Sequence, residues 1–248
     1  MPPLMSFAEK TVAVTGARGG LGQALCQALR ESGALVTPIS RDDVWNPAEY
    51  SCIFFNAGFG FLQSSRDPLF PMAPELFAVN LLTPITLAQQ ALAAGALHVH
   101  MVGSILSLVS SPLMSLYAAT KYGLRGWAYG SARELPGRVS ISYPNGIKTA
   151  YFRNLQGDPA ILAGYHAQVT SAEAGYDTPD MVAAGILEGI RYGGREIVPT
   201  MSAYDWCVKN EEPIRRMWVP GLQQPSVEQF DWWEQVHAHW QSHESEGD

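Results

Sequence analysis

Charge is scarce in this chain. Asp, Glu, Lys and Arg make up only 16% of its 248 residues, and the formal net charge is −7. No basic run gathers Lys and Arg as phosphate binding requires, so nucleic acid is not an expected partner. Cysteine is scarce as well. Cys26, Cys52 and Cys207 are far apart, odd in number and form no CxxC pair, which points to buried free thiols rather than a disulfide framework or a zinc site. No stretch approaches 18 uninterrupted apolar residues, so no membrane-spanning helix is expected. The opening MPPLMSFAEK lacks a charged start followed by a long apolar run, and no signal peptide is read there. Together these absences suggest a cytoplasmic protein. Repeats, low-complexity tracts and linkers are absent too, so one domain over 1–248 is the economical reading.

Apolar residues are plentiful, at 47% of the chain, enough for a single large core. TVAVT (11–15) is a short β-branched run and reads as a buried strand. A glycine-rich turn follows, then a helical pattern that stops at Gly33. Further strands are expected at 34–40, 51–58, 97–104, 139–144 and 196–199, with helices at 74–95, 115–134 and 179–191. Pro38 marks the second of these strands as an edge or an end. Strands alternating with helices predict an α/β fold, a Rossmann-type doubly wound parallel sheet with helices on both faces. Ligands of such sheets bind outside the carboxyl ends of the strands. Residues 150–178 show no clear pattern and read as a substrate loop, and 200–248 as a C-terminal extension rich in Trp and Pro.

Chemistry-bearing residues fall at those strand ends. TGARGGLG (15–22) lies between the first strand and the first helix. Gly16 allows the tight turn, Gly20 lets a pyrophosphate approach, and Gly22 lets the helix pack on the sheet. Tyr117 and Lys121, four apart on a helix, share one face. Ser104 ends a strand 13 positions before Tyr117.

This set resembles the short-chain dehydrogenases/reductases: Thr15-Gly16-xxx-Gly20-x-Gly22, Asn56-Ala57-Gly58, Asn80, Ser104, Tyr117-xxx-Lys121, and YPNGIKT (143–149) in place of the family's PG segment. The resemblance runs from about residue 10 to about residue 200. It implies an oxidoreductase interconverting a carbonyl and a secondary alcohol by hydride transfer. Tyr117 would be the general acid/base, Lys121 would lower its pKa and bind the nicotinamide ribose, Ser104 would hold the substrate oxygen, and Asn80 would hold a proton-relaying water. Cofactor contacts are implied for Thr15, Gly16, Arg18, Gly20, Leu21, Gly22, Asn56, Ala57, Gly58, Tyr117, Lys121, Pro144, Ile147 and Thr149. A homodimer or homotetramer, paired through the helices at 74–95 and 115–134, is also implied. Two rival readings stay open: a non-catalytic, nucleotide-sensing protein on the same fold, and lyase or isomerase chemistry with tightly held NAD.

The second strand ends in ISRDD. Ser40 stands where NAD-preferring relatives often carry Asp, and Arg41 follows, so NADP(H) is favoured and NAD(H) remains possible. Arg18 could add a second positive charge, while Asp42 and Asp43 argue the other way. Only 15 positions separate Arg41 from Asn56, so one crossover unit is expected to be missing, with Asp43-Val44 as the remnant that cradles adenine. Asn145 replaces the usual Gly of the PG segment, and its tolerance of positive φ would preserve the turn. No metal is expected. His98 and His100 share a strand face and read as polar positions near solvent, and the His239/His243 pair lies on what reads as a Trp-faced C-terminal helix.

Overall fold

A computed structural model describes residues 4–66, 72–172 and 176–209. The C-terminal Trp/His segment, with His239 and His243, lies outside the described residues.

Strand β1 (Thr11–Thr15) leads through helix α1 (Gly20–Glu31) to β2 (Leu35–Ile39). The chain then passes through one 3-10 turn, Pro47–Glu49, to β3 (Cys52–Phe55). A two-residue strand, β4 (Phe61–Leu62), precedes α2 (Ala73–Phe77). A π turn at Ala78–Leu82 joins α2 to α3 (Thr83–Ala93). There follow β5 (His98–Val102), α4 (Ser115–Glu134), β6 (Val139–Ser142), β7 (Gln156–Gly157) and α5 (Pro159–Ala172). Helix α6 (Pro179–Arg191), β8 (Glu196–Ile197) and α7 (Met201–Lys209) complete the described chain.

The main sheet is parallel throughout, in the order β2-β1-β3-β5-β6-β8. β2 is an edge strand, as Pro38 suggested, and the missing crossover unit is real: between β2 and β3 there is only the 3-10 turn. Strand residues alternate between two cores, as a two-residue period requires. Val12, Val14, Cys52 and Phe54 pack with Leu25 of α1 and Ile186 of α6. Ala13, Ile53 and Phe55 pack on the other face with Ala88 of α3 and Leu124 and Ala128 of α4. Cys26 and Cys52 are buried free thiols, and burial raises both pKa values, Cys52 to about 12.

Four expectations need correction. The 150–178 segment holds a 14-residue helix, α5. Its apolar residues are spread around its circumference, so no face announced it. Its start was legible, since Asp158 accepts from the N–H groups of Ala160 (2.8 Å) and Ile161 (3.0 Å), with Pro159 at the first helical position. His98 and His100 are not near solvent; they are 4% and 0% exposed. Asn145 has no positive φ, because among the described residues only Glu9 and Leu113 carry one outside glycine. Finally, Ala73–Ala93 is long and apolar enough, by length and composition, to cross a membrane, although no unbroken apolar run marks it. Its buried residues, Leu76, Asn80, Ala88 and Ala91 among them, face the domain.

Candidate active site

The glycine turn is built for close approach. Gly16 sits at φ +65°, and a Cβ there would lie 2.8 Å from the Ala57 Cα. A Cβ on Gly22 would meet the Gly16 carbonyl oxygen at 2.3 Å, so only glycine lets α1 start against the turn. The N-cap of α1 is Gly19, with no side chain bonded to the helix start. Its first amides and the positive end of its dipole therefore face the groove uncapped. Gly20 and Leu21 belong to this first turn, and Thr149 packs over Gly20.

Thr15 and Asn56 fasten this turn to the 56–58 loop. The Thr15 Oγ1 accepts from the N–H groups of Asn56 (3.0 Å) and Ala57 (3.1 Å). The Asn56 amide donates to the carbonyls of Thr15 (3.0 Å) and Gly16 (3.2 Å). Their polar atoms are used to shape the groove floor.

Asn80 lies in the π turn, a wide turn common where helices carry function. Its carboxamide accepts from the Phe59 N–H (3.0 Å) and donates to the Phe59 carbonyl (2.8 Å). That pair of hydrogen bonds fixes the chain just past Gly58, beside Lys121: a Cβ on Gly58 would be 3.8 Å from the Lys121 Nζ.

Helix α4 carries Tyr117 and Lys121 inward, 7% and 5% exposed. The Lys121 Nζ stands 5.7 Å from the Tyr117 ring centroid and donates to the Val102 carbonyl at 3.0 Å. Burial pushes the Lys121 ammonium down to about 8. Burial raises the Tyr117 phenol above its ordinary value, while hydrogen bonding from Tyr151 and Ser104 pulls it back. The lowering expected from Lys121 is thus not the dominant influence here; desolvation is. Ser104 caps a 3-10 turn, its Oγ accepting from the Leu106 N–H at 3.1 Å, which leaves its own hydrogen to donate.

The far wall is the 144–149 loop. The Ile105 N–H donates to the Pro144 carbonyl at 3.0 Å, and Ile147 pairs with Asp177 in a single parallel bridge. Asp177 is itself held by the Thr200 and Ser202 hydroxyls, both at 2.7 Å. At the other end, Arg18 and Arg41 are exposed near the groove mouth. The Asp43 carboxylate accepts from the Ser40 N–H at 2.6 Å, so it is engaged in the turn that carries Arg41.

The structure therefore brings Ser104, Tyr117, Lys121 and Asn80 to one end of the carboxyl edge of the sheet, and the glycine turn with Arg18 and Arg41 to the other. From the sequence, Tyr151 counts only with Phe152, Phe59 and Phe61 as a hint of an apolar or aromatic substrate; in the structure it stands beside Tyr117 with ring centroids 6.4 Å apart. The two-residue strands β4 and β7 were also missed, since two residues show no period. They pair in parallel, Phe61 opposite Gln156 and Leu62 opposite Gly157, and carry the 150s segment over Tyr117.

No family model matches the chain. Two curated relatives, each named a putative oxidoreductase SadH and both from Mycobacterium tuberculosis, are 30% identical over 122 residues. That match covers 45% of this chain and 42% of each relative, so the chain spans less than half the length of the curated relatives it matches. Solved structures agree in fold. A short-chain dehydrogenase from Streptomyces avermitilis superposes with a TM-score of 0.68 at 19% identity, over 84% of this chain and 94% of that one. One from Burkholderia cenocepacia in complex with NADP gives 0.66 at 22%, over 84% and 94%. One from Burkholderia phymatum in complex with NAD gives 0.64 at 18%, over 84% and 97%. The fold is that of the short-chain dehydrogenases/reductases.

Proposed function

We propose that the chain is a nicotinamide-dependent short-chain oxidoreductase that interconverts a carbonyl and a secondary alcohol, with Tyr117 as general acid/base. One observation carries the reading: a buried phenol and a buried ammonium on consecutive turns of α4, with the Ser104 hydroxyl beside them, at the carboxyl ends of parallel strands. Neither charge state is cheap in that position, and such arrangements mark sites where protons move.

The residues fit a dinucleotide. The uncapped start of α1 and the Gly16 turn suit its pyrophosphate. Lys121, Ile147 and Thr149 suit the nicotinamide end. Bound there, the cofactor supplies or accepts a hydride at the substrate carbon. In reduction, Tyr117 gives its proton to the substrate oxygen. Lys121, while charged, stabilises the phenolate left behind, and Ser104 donates a hydrogen bond to the same oxygen as charge develops. In oxidation, the phenolate takes the proton back.

NADP(H) is the preferred cofactor in this reading, with NAD(H) as the weaker. Arg41 and Arg18 are exposed cations at the β2 end, and Asp43 turns its carboxylate onto Ser40 rather than into the groove. The Burkholderia neighbours, one crystallised with NADP and one with NAD, show the fold serving either. We further read the chain as a cytoplasmic homodimer or homotetramer, paired through α3 and α4. Leu82 is 58% exposed there, and only 28% of the apolar Ala73–Ala93 window is buried within one copy.

The test is Tyr117→Phe. Turnover of ketone or alcohol substrates should fall by roughly three orders of magnitude or more, with dinucleotide affinity retained. Undiminished turnover would refute the assignment.

A further inference from the structure

Tyr151 is the least explained polar group near Tyr117. Its ring is half-buried, but its hydroxyl oxygen is wholly inside and completes no hydrogen bond of ordinary geometry. A buried hydroxyl without a partner costs roughly 1–3 kcal/mol. A phenylalanine would fill the same space without that cost, so the hydroxyl needs another reason.

Its placement is not loose. The Tyr151 N–H donates to the Thr149 Oγ1 at 3.2 Å, and its ring meets Phe152 edge-on, centroids 5.6 Å apart. Beyond it, the Gln156 N–H donates to the Gly60 carbonyl at 3.0 Å, where β7 joins β4. Gly60 leaves the room: a Cβ there would lie 2.7 Å from the Tyr151 Oη and 2.2 Å from a Leu155 methyl. The segment is thus pinned at both ends, and the phenol lies beside Tyr117, close enough for each to perturb the other's ionisation.

Two hydroxyls, those of Ser104 and Tyr151, therefore stand within hydrogen-bonding influence of the Tyr117 phenol, whose ring centroid is 6.4 Å from that of Tyr151. A carbonyl oxygen has two lone pairs and receives a proton from Tyr117. In the transition state it gains charge and can accept two further hydrogen bonds. Resting on the reading above, we infer that Tyr151 is a further catalytic residue: its phenol, with Ser104, donates a hydrogen bond to the reacting oxygen of the substrate.

The surroundings narrow the substrate. Phe59, Leu106, Phe152, Ile161, Leu162 and Tyr165 gather around Tyr117 and Tyr151 in one apolar cluster. The groups flanking the carbonyl are accordingly apolar, aryl or branched alkyl, and the two phenols and Ser104 supply the polar contacts.

The experiment compares wild type, Tyr151→Phe and Tyr117→Phe of the full chain. NADPH or NADH is the reductant, and acetophenone and its ring-substituted and alkyl analogues are the probes. Tyr151→Phe should lower kcat about 10- to 100-fold, as loss of one donor to a developing oxyanion does, with KM changed less than threefold. Its midpoint of thermal unfolding should stay close to that of wild type, because the lost hydroxyl completes no hydrogen bond of ordinary geometry. In alcohol oxidation, the rising, acidic limb of the kcat/KM profile should move to higher pH, since Tyr151 no longer favours the Tyr117 phenolate. A purely structural Tyr151 would lower stability and leave that profile in place, which overturns the inference. So would an unchanged kcat, or a change in KM alone. Absence of turnover by wild type across the probes removes the oxidoreductase reading and this inference with it. Activity lost in Tyr117→Phe but intact in Tyr151→Phe removes only the latter.

Discussion

The two ends of the groove are built differently. At the α4 end Asn80, Thr120 and Lys121 lie deep, each 5% exposed or less, and their positions are fixed by named hydrogen bonds. Around β2 the structure is spare. The strand has one neighbour, Leu35 is 63% exposed, and Val44 is fully exposed. The missing crossover unit accounts for the contrast, since its helix and strand would have covered β2. Moving a proton requires desolvation and fixed geometry, because a perturbed pKa vanishes once water surrounds the group. Recognising a phosphate requires only cations near it, and these work at a surface. A chain that lacks a structural unit on one side can therefore keep a buried, hydrogen-bonded polar cluster on the other.

If that contrast is sound, substitutions at the α4 end should trade activity against stability. Lys121→Met is expected to reduce turnover by roughly 100- to 1,000-fold, while unfolding in urea at pH 7 shows equal or greater stability. The sign follows from the depressed ammonium. Its folded pKa, about 8, lies below the ordinary lysine value of 10.5, so the charged form is penalised by folding at all pH values below 8. Removing the charge removes that penalty. A marked loss of stability would mean that Lys121 serves the core rather than the chemistry. The same pKa of the free protein predicts that kcat/KM for carbonyl reduction by wild type declines as pH rises through about 8.

On the sheet face opposite α4, where His100 meets Phe54, lies a buried polar ladder that sharpens the comparison through pH. The His98 Nδ1 is 2.9 Å from the Gly137 carbonyl oxygen, which can only accept, so Nδ1 carries the proton. That choice fixes every donor above it. The Ser140 hydroxyl donates to the His98 Nε2 (2.8 Å), the His100 Nδ1–H donates to the Ser140 Oγ (2.8 Å), and the Ser142 hydroxyl donates to the His100 Nε2 (3.0 Å). Both imidazoles are neutral in this arrangement. Burial lowers His98 to about 4, and burial with the neighbouring His98 lowers His100 well below its ordinary value. With folded pKa values below the unfolded value of 6.5, the ladder contributes fully above pH 6.5. Its contribution is lost as pH falls from 6.5 toward 4, where the unfolded chain takes up protons that the folded one refuses. Each histidine contributes a slope of about 1.4 kcal/mol per pH unit in that window. Unfolding free energy should then drop by roughly 4 kcal/mol between pH 7 and pH 5. A pH-independent free energy over that range would show that the imidazoles are reached by water.

Much of this was legible in the sequence, for physical reasons that differ from place to place. Pro179–Arg191 and Ser115–Glu134 match the helices expected at 179–191 and 115–134, because Thr178-Pro179 and the burial periodicity speak locally. The missing unit was legible as a shortage of residues between Arg41 and Asn56. The burial of His98 and His100 was not, because it depends on Ser140 and Ser142, some forty residues away on a neighbouring strand. Tyr151 was legible as an aromatic residue of the substrate segment, but the placement of its hydroxyl was hidden for the same reason. Its oxygen gains meaning only from Gly60 and Tyr117, which no local pattern connects to it.

At the β2 end, effects should be smaller and confined to one ligand. Arg41→Ala is expected to weaken NADPH binding about tenfold, or ~1.4 kcal/mol, and to leave NADH binding within twofold. An exposed cation facing a phosphate supplies charge without desolvation, so its contribution should also shrink in high salt. Equal losses for both cofactors would place Arg41 on a group they share and reverse the proposed preference.

The smallest expected effect lies on the edge strand itself. Leu35 pairs with Thr11 at the start of β2 and is largely exposed, so it contributes little apolar burial. Leu35→Lys should change unfolding free energy by no more than about 0.5 kcal/mol and leave turnover unchanged. A charged side chain on an open edge discourages pairing with another chain, so solubility should hold or improve. A loss of several kcal/mol, seen as a large shift of the urea midpoint, would mean that this edge is covered in the assembled protein. The contrast between a dense end and a bare one would then be a property of the single copy alone.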